Sequence, residues 1–167
     1  KLRLLVTTDC PNHCPLCCNN SWDFSKLPSV TSFDYDEVMI TGGEPLLFVD
    51  KVVELAWLIK TLRPMLYPEE DAPKIYVYTS IASYLPIRQL LNVVDGIVLT
   101  PYSKDDVKRF IRLNKILGIY LAENPRLKPS LRLNLFKNIK DMLPEDIDLS
   151  IWKVKDIEWI KDCPVPK

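Results

Sequence analysis

The chain has 167 residues, 47% of them hydrophobic and 26% charged, with 22 basic and 22 acidic side chains and a formal net charge of zero. That is the composition of a globular protein with enough chain for a buried core, and it predicts one domain over residues 1–167. The even charge balance gives no broad basic surface for tracking phosphates, which disfavours nucleic acid as a partner. No apolar run is long enough to span a bilayer, and no secretory segment precedes the first apolar stretch, so no membrane association is expected and the cytoplasm is the expected compartment. The chain opens on Lys1 rather than a methionine, which leaves room for residues upstream.

In chain order, short β-rich runs alternate with amphipathic segments. Residues 2–8 (LRLLVTT) form the first strand, and the cysteine-bearing segment TDCPNHCPLCCNN follows it. Residues 37–41 (EVMIT) form the second strand, ending on Gly42-Gly43-Glu44-Pro45. After an Asp50 cap, Val52, Leu55, Ala56, Ile59 and Leu62 recur at helical spacing. A proline-bearing loop over 64–73 leads to the third strand, 74–79 (KIYVYT), then a weaker helix over 84–94 closed by Asp95-Gly96. The fourth strand is 96–100 (GIVLT). A helix over 103–117 follows, with a Ser103 cap, an apolar face of Val107, Phe110, Ile111 and Leu117, and Gly118 as its stop. Residues 119–130 read as a loop, 131–136 (LRLNLF) as the fifth strand and 149–154 (LSIWKV) as the sixth. Strands apolar on both faces and separated by helices mean a parallel sheet. A complete eight-unit barrel takes about 250 residues. The material here makes roughly six units, so the expected fold is α/β, an incomplete (β/α)6 TIM-like barrel with a cleft at its C-terminal strand ends.

The cysteines carry the chemistry. Cys10, Cys14, Cys17 and Cys18 lie together after the first strand, and Cys163 stands alone. Such clustering reads as a metal or cluster site rather than a disulfide framework. Cys10, Cys14 and Cys17 give C-x3-C-x2-C, and soft thiolates favour an iron–sulfur cluster or zinc. Three thiolates on a four-iron cluster leave one iron open to a ligand. A zinc site built from the four close cysteines is the alternative, although such sites normally pair two separated couples. His13, the only histidine, is a candidate for tuning the cluster or simply an exposed loop residue. Trp22, Trp57, Trp152 and Trp159 read as packing residues.

The C-x3-C-x2-C loop after the first strand, followed by Gly42-Gly43-Glu44-Pro45 after the second, resembles the radical S-adenosylmethionine superfamily. Two departures are Leu16, where the family usually has an aromatic residue, and the extra Cys18. The family's spacing selects Cys17 over Cys18 as the third ligand, leaving Cys18 as a packed side chain. The resemblance implies a [4Fe-4S] cluster on Cys10, Cys14 and Cys17 and S-adenosyl-L-methionine as cofactor. It implies reductive cleavage to a 5′-deoxyadenosyl radical that abstracts hydrogen from a substrate, an oxidoreductase activity supplied with electrons by a donor such as flavodoxin or ferredoxin. Gly42, Gly43, Glu44 and Pro45 are then expected at the methionine amino group, with Glu44 as an acceptor, and replacing Gly43 by a bulky residue is expected to weaken cofactor binding while sparing the cluster. Thr79, Ser80 and Thr100 at strand ends, Arg132 and Asn134 on the fifth strand and Val154 on the sixth complete the expected cofactor contacts. No protein acid or base is assigned. A six-unit barrel has no spare element to enclose its cleft, so the expected substrate is a protein or peptide, as for activases. A small nucleotide-like metabolite under lid loops is the alternative, and a non-catalytic iron–sulfur or zinc-binding protein is a third reading.

Overall fold

The computed structural model describes every residue except 13, 15, 16, 21, 22, 67–70 and 159–167, and the backbone alone at 18, 63 and 66. Its centre is one six-stranded sheet in the order β1-β2-β3-β4-β5-β6, every neighbouring pair parallel. The strands are β1 (Leu2–Leu5), β2 (Glu37–Thr41), β3 (Lys74–Thr79), β4 (Gly96–Leu99), β5 (Ser130–Phe136) and β6 (Lys153–Ile157). The sheet is open, with β1 and β6 as its two edges. Helices α1 (Val49–Leu66), α2 (Tyr84–Leu90), α3 (Lys104–Glu123) and the short α4 (Lys137–Lys140) make the crossovers after β2, β3, β4 and β5. The β1–β2 connection holds only 3-10 turns among its described residues. No helix among the described residues is long and apolar enough to cross a membrane.

Residues paired across parallel strands share a face, so the register sorts the sheet into two surfaces. Val38, Ile40, Ile75, Val77, Ile97, Leu99, Leu131, Leu133 and Leu135 lie on one surface, all buried. They form one core with Val52, Ala56 and Ile59 of α1, Ile87 and Leu90 of α2, and Val107, Phe110, Leu113 and Leu117 of α3. Burying such side chains contributes about 1.5–3 kcal/mol each, which is why strands so short can hold. The opposite surface carries Arg3, Met39, Tyr76, Tyr78, Val98, Arg132 and Asn134. There the Arg132 guanidinium lies 4.4 Å from the Tyr76 ring centre, a cation–π contact that holds it flat.

Several boundaries differ from the sequence reading. The sixth strand is Lys153–Ile157, not 149–154. Leu149, Ile151 and Trp152 do reach the core, but from a turn: the Trp152 amide donates to the Leu149 carbonyl and its indole Nε1 to Asn114 Oδ1. The strand after them is an exposed edge with Lys153 and Lys155, which explains its weak apolar signal. Gly118 does not stop α3, which continues to Glu123. Tyr120 and Leu121 extend its packing against the core, and that burial outweighs the roughly 1 kcal/mol a helical glycine costs. The 119–130 loop is correspondingly shorter. Pro64 lies inside α1 rather than in a loop, two residues before the end, where it removes the hydrogen bond to the Lys60 carbonyl and crowds that carbonyl with little helix beyond it to be bent. Helix α2 ends at Leu90, and β1 at Leu5. Trp152 is packed, whereas Trp57 is 60% exposed; Trp22 and Trp159 lie outside the described residues, as do His13, Leu16 and Cys163.

At the start of α3, Ser103 and Asp106 form a reciprocal capping box. Burial alone would raise the Asp106 carboxyl, but donors from Arg109, Ser103 and the Tyr102 amide hold it below the ordinary carboxylate range. A depressed carboxylate contributes stability above its unfolded pKa, and that stability is lost as pH falls through the folded value. Ser103→Ala is therefore expected to cost about 1 kcal/mol at neutral pH and to raise the acid midpoint, both read by urea unfolding between pH 7 and pH 3.

Candidate functional site at the ends of β1, β2 and β3

The C-terminal ends of β1 and β2 lie side by side, so the cysteine segment and the glycine segment meet. Two main-chain bonds join them: Gly43 N donates to Thr7 O at 2.6 Å and Glu44 N to Asp9 O at 2.7 Å. Such proximity depends on the missing side chains. A Cβ on Gly43 would stand 2.1 Å from Asp9 O, and one on Gly42 would stand 2.4 Å from Thr7 O. Gly42 also has φ of +130°, a conformation L side chains rarely adopt. Both glycines thus seat the backbone just before Cys10. The atoms that crowd Gly43 belong to Thr8 and Asp9, so a larger residue there would press first on the segment that leads into Cys10.

Glu44 is 2% exposed and belongs to the same rim. Its Oε1 accepts from Leu46 N at 3.1 Å and Thr79 Oγ1 at 2.6 Å, and its Oε2 from Ser80 N at 2.8 Å and Ser80 Oγ at 2.6 Å. Four donors match the acceptor-only capacity of a carboxylate. Glu44 therefore clasps β2 to the end of β3. Pro45 and Leu46 are buried in the 3-10 turn Pro45–Phe48 that Glu44 caps.

Two asparagines that the sequence reading did not single out tie the cysteine loop to this rim. Asn12, between Cys10 and Cys14, donates through Nδ2 to Ser80 Oγ at 2.7 Å. Asn19 donates through Nδ2 to Gly42 O at 2.9 Å. Their signal in the sequence was only their place within and just after the cysteine run. Inside the loop, Cys17 N donates to Cys14 O, and Asn20 N to Cys17 O.

Cys10, Cys14 and Cys17 are partly buried free thiols. Burial, then the charges of Cys17, Cys10 and Asp106, pushes the Cys14 thiol up to about 11. Burial also raises Cys10, against a lowering backbone contact at Asn12 and with added repulsion from Glu44 and Cys17. The three thiols therefore lie within electrostatic reach of one another. Tyr102, just after β4, shares their field: burial first and then the cysteines raise its hydroxyl. Among the described residues no three Cys, His, Asp or Glu side chains converge as ligands of one metal ion. A four-iron cluster is ordinarily held by four thiolates, so three would leave one iron without a protein ligand. The side chain of Cys18 lies outside what is described.

The remaining expected residues divide. Thr79 and Ser80 are in the Glu44 clasp, both buried. Thr100 and Asn134 meet on the next two strands, Asn134 Nδ2 donating to Thr100 Oγ1 at 3.3 Å. Arg132 lies one pleat repeat below Asn134, stacked on Tyr76. Val154 does not join them. It pairs with Leu133 on the helix-covered surface and is 39% exposed, while Lys153 and Lys155 pair with Arg132 and Asn134 on the other. Compared with known proteins, the chain matches no family model, no curated protein and no solved structure.

Proposed function

We propose that this protein is a radical S-adenosylmethionine enzyme on an incomplete barrel of the TIM-like kind. The observation that carries the reading is the meeting of the cysteine loop and the Gly42–Pro45 segment at adjacent strand ends, bonded through Gly43 N–Thr7 O and Glu44 N–Asp9 O. Cys10, Cys14 and Cys17 would hold a [4Fe-4S] cluster. When bound, the cluster and S-adenosylmethionine supply one-electron cleavage of a sulfonium bond and hydrogen abstraction from a substrate. The chain itself positions and shields. Gly42 and Gly43 bring bare backbone beside the cysteine loop, Glu44 fixes that backbone against β3, and Thr100 and Asn134 offer polar groups on the same rim. Arg132 is suited to an anionic group of the cofactor.

The substrate class we favour is a protein or peptide, in an activase-like role. The sheet is not closed between β1 and β6, and a radical reaction needs water excluded, a task we assign to a large substrate. A flavodoxin or ferredoxin fits as electron donor.

The test is anaerobic reconstitution with iron and sulfide, followed by reduction in the presence of S-adenosylmethionine. Wild type is expected to hold about four irons and to form 5′-deoxyadenosine. Alanine at Cys10, Cys14 or Cys17 is expected to abolish the visible cluster absorbance, and Cys18→Ala to retain it. Uptake of zinc alone, or an iron–sulfur cluster without cofactor cleavage, would overturn the proposal.

A further inference from the structure

We infer that Asn12 and Asn19 are positioning residues that fasten the cysteine loop to the strand-end rim before any cluster is present. The inference rests on the reading of that loop as the cluster site for what is being positioned, but its geometry stands alone. Asn12 is linked across 68 positions of sequence to Ser80, and Ser80 to Glu44, giving the chain Asn12 Nδ2 to Ser80 Oγ to Glu44 Oε2. The direction of this chain is fixed by its buried end. Glu44 can only accept, so the single hydroxyl proton of Ser80 goes to Glu44, and Ser80 Oγ is left as an acceptor. The group facing it must donate, which an amide nitrogen does and a carboxylate does not. Asn19 meets the same requirement at Gly42 O, a carbonyl that accepts only.

The two tethers bracket the loop. Asn12 lies between the first two cysteines and reaches the end of β3; Asn19 follows the third and reaches the glycine turn after β2. Each anchor is itself immobile, since Ser80 is 6% exposed and Gly42 is held by the close approach of Thr7. The thiols are thereby kept at one rim without a metal to gather them, and the Gly42 backbone and the cysteine loop move together. The glycine segment and the cysteine loop are thus one unit and not two neighbouring sites.

The experiment is amide hydrogen exchange on the metal-free, reduced, full chain, following the Cys17 and Asn20 amides, which donate within the loop. Asn12→Ala is expected to speed their exchange about fivefold, the loss of one hydrogen bond. Ser80→Ala, which also removes a donor to Glu44, is expected to speed it at least as much, and the double variant to be no faster than Ser80→Ala alone. Asn12→Asp, equal in size but unable to donate to Ser80, is expected to exchange as fast as Asn12→Ala, a result a space-filling role would not produce. The amides of β4 and β5, central in the sheet, are expected to remain the slowest to exchange in all four. Wild-type exchange in Asn12→Ala, protection in Asn12→Asp, or additive effects in the double variant would each overturn the inference. A wild type that takes up no cluster would instead overturn the proposed function, leaving the exchange comparison intact. Where a cluster forms, its loss to an iron chelator is expected to be faster in Asn12→Ala and in Asn19→Ala than in wild type.

Discussion

Gly43→Ala is expected to unfold the protein far more easily and to strip it of any cluster, although the change adds a single methyl group. The added carbon would stand 2.1 Å from Asp9 O and 2.7 Å from Thr8 C. Both contacts are backbone, so no side chain can swing aside. Relief requires the chain before Cys10 to move off the glycine turn, breaking the bonds from Gly43 N to Thr7 O and from Glu44 N to Asp9 O. Overpacking of this kind costs about 1–3 kcal/mol or more, and each lost hydrogen bond about 1 kcal/mol. Gly42→Ala adds the strain of a side chain at φ of +130°, about 1–3 kcal/mol on its own, to a contact of 2.4 Å with Thr7 O. Against a total of about 5–15 kcal/mol these are large losses, measurable as shifts in the urea midpoint. The cluster readout carries the greater weight, because the segment displaced is the one that presents Cys10. A Gly43→Ala protein with wild-type stability and full iron content would show that the close approach is not needed.

Glu44→Gln is the second substitution with a large expected effect, and the reason is directional. Each carboxylate oxygen faces one main-chain N–H, Leu46 N at Oε1 and Ser80 N at Oε2. Glutamine keeps the size but has one oxygen and one NH2. Whichever way it is placed, one buried N–H faces another donor, and a hydroxyl that donated must turn away. An unsatisfied buried donor plus lost bonds to a charged acceptor amount to about 3–5 kcal/mol. For a chain of this length that is a fall in melting temperature on the order of 10 °C. Thr79→Val, which removes one hydroxyl donor to Glu44 and the acceptor of the partly buried Ile81 amide but keeps both main-chain N–H groups on the carboxylate, is expected to cost less. Equal melting temperatures for wild type and Glu44→Gln would mean the clasp does not exist as described.

How much of this was legible beforehand depended on what each residue had to satisfy. Strands β2 and β3 could be read to the residue, because their apolar runs end where glycine and serine begin. The sixth strand could not, since Leu149, Ile151 and Trp152 advertise burial without saying that a turn achieves it. Gly118 reads as a stop from local propensity alone; the packing of Tyr120 and Leu121 that overrides it is tertiary. The motif positions were visible as a pattern, but the role of Glu44 was not: only the fold brings Thr79 and Ser80 to its carboxylate. Asn12 and Asn19 carry no pattern of their own. Their partners are Ser80 and Gly42, and which asparagines of a polar loop find such partners is decided by the path of the chain.

The strand order also bears on where the molecule comes apart. Because space follows sequence along the sheet, β1 has a single neighbour, while β3 and β4 are held on both sides. Opening free energies within a fold run from near zero at weakly held edges to the global value at the centre. Strand β1 has four residues and no helix of its own among the described residues, which makes it, with the exposed edge β6, one of the two lowest-cost units to detach. Its release would carry the cysteine loop outward while the β3–β4 centre and its helices stayed intact. Asn12 and Asn19 oppose that excursion. On the proposed function, such a local opening would expose the thiols for loading without passage through the unfolded state.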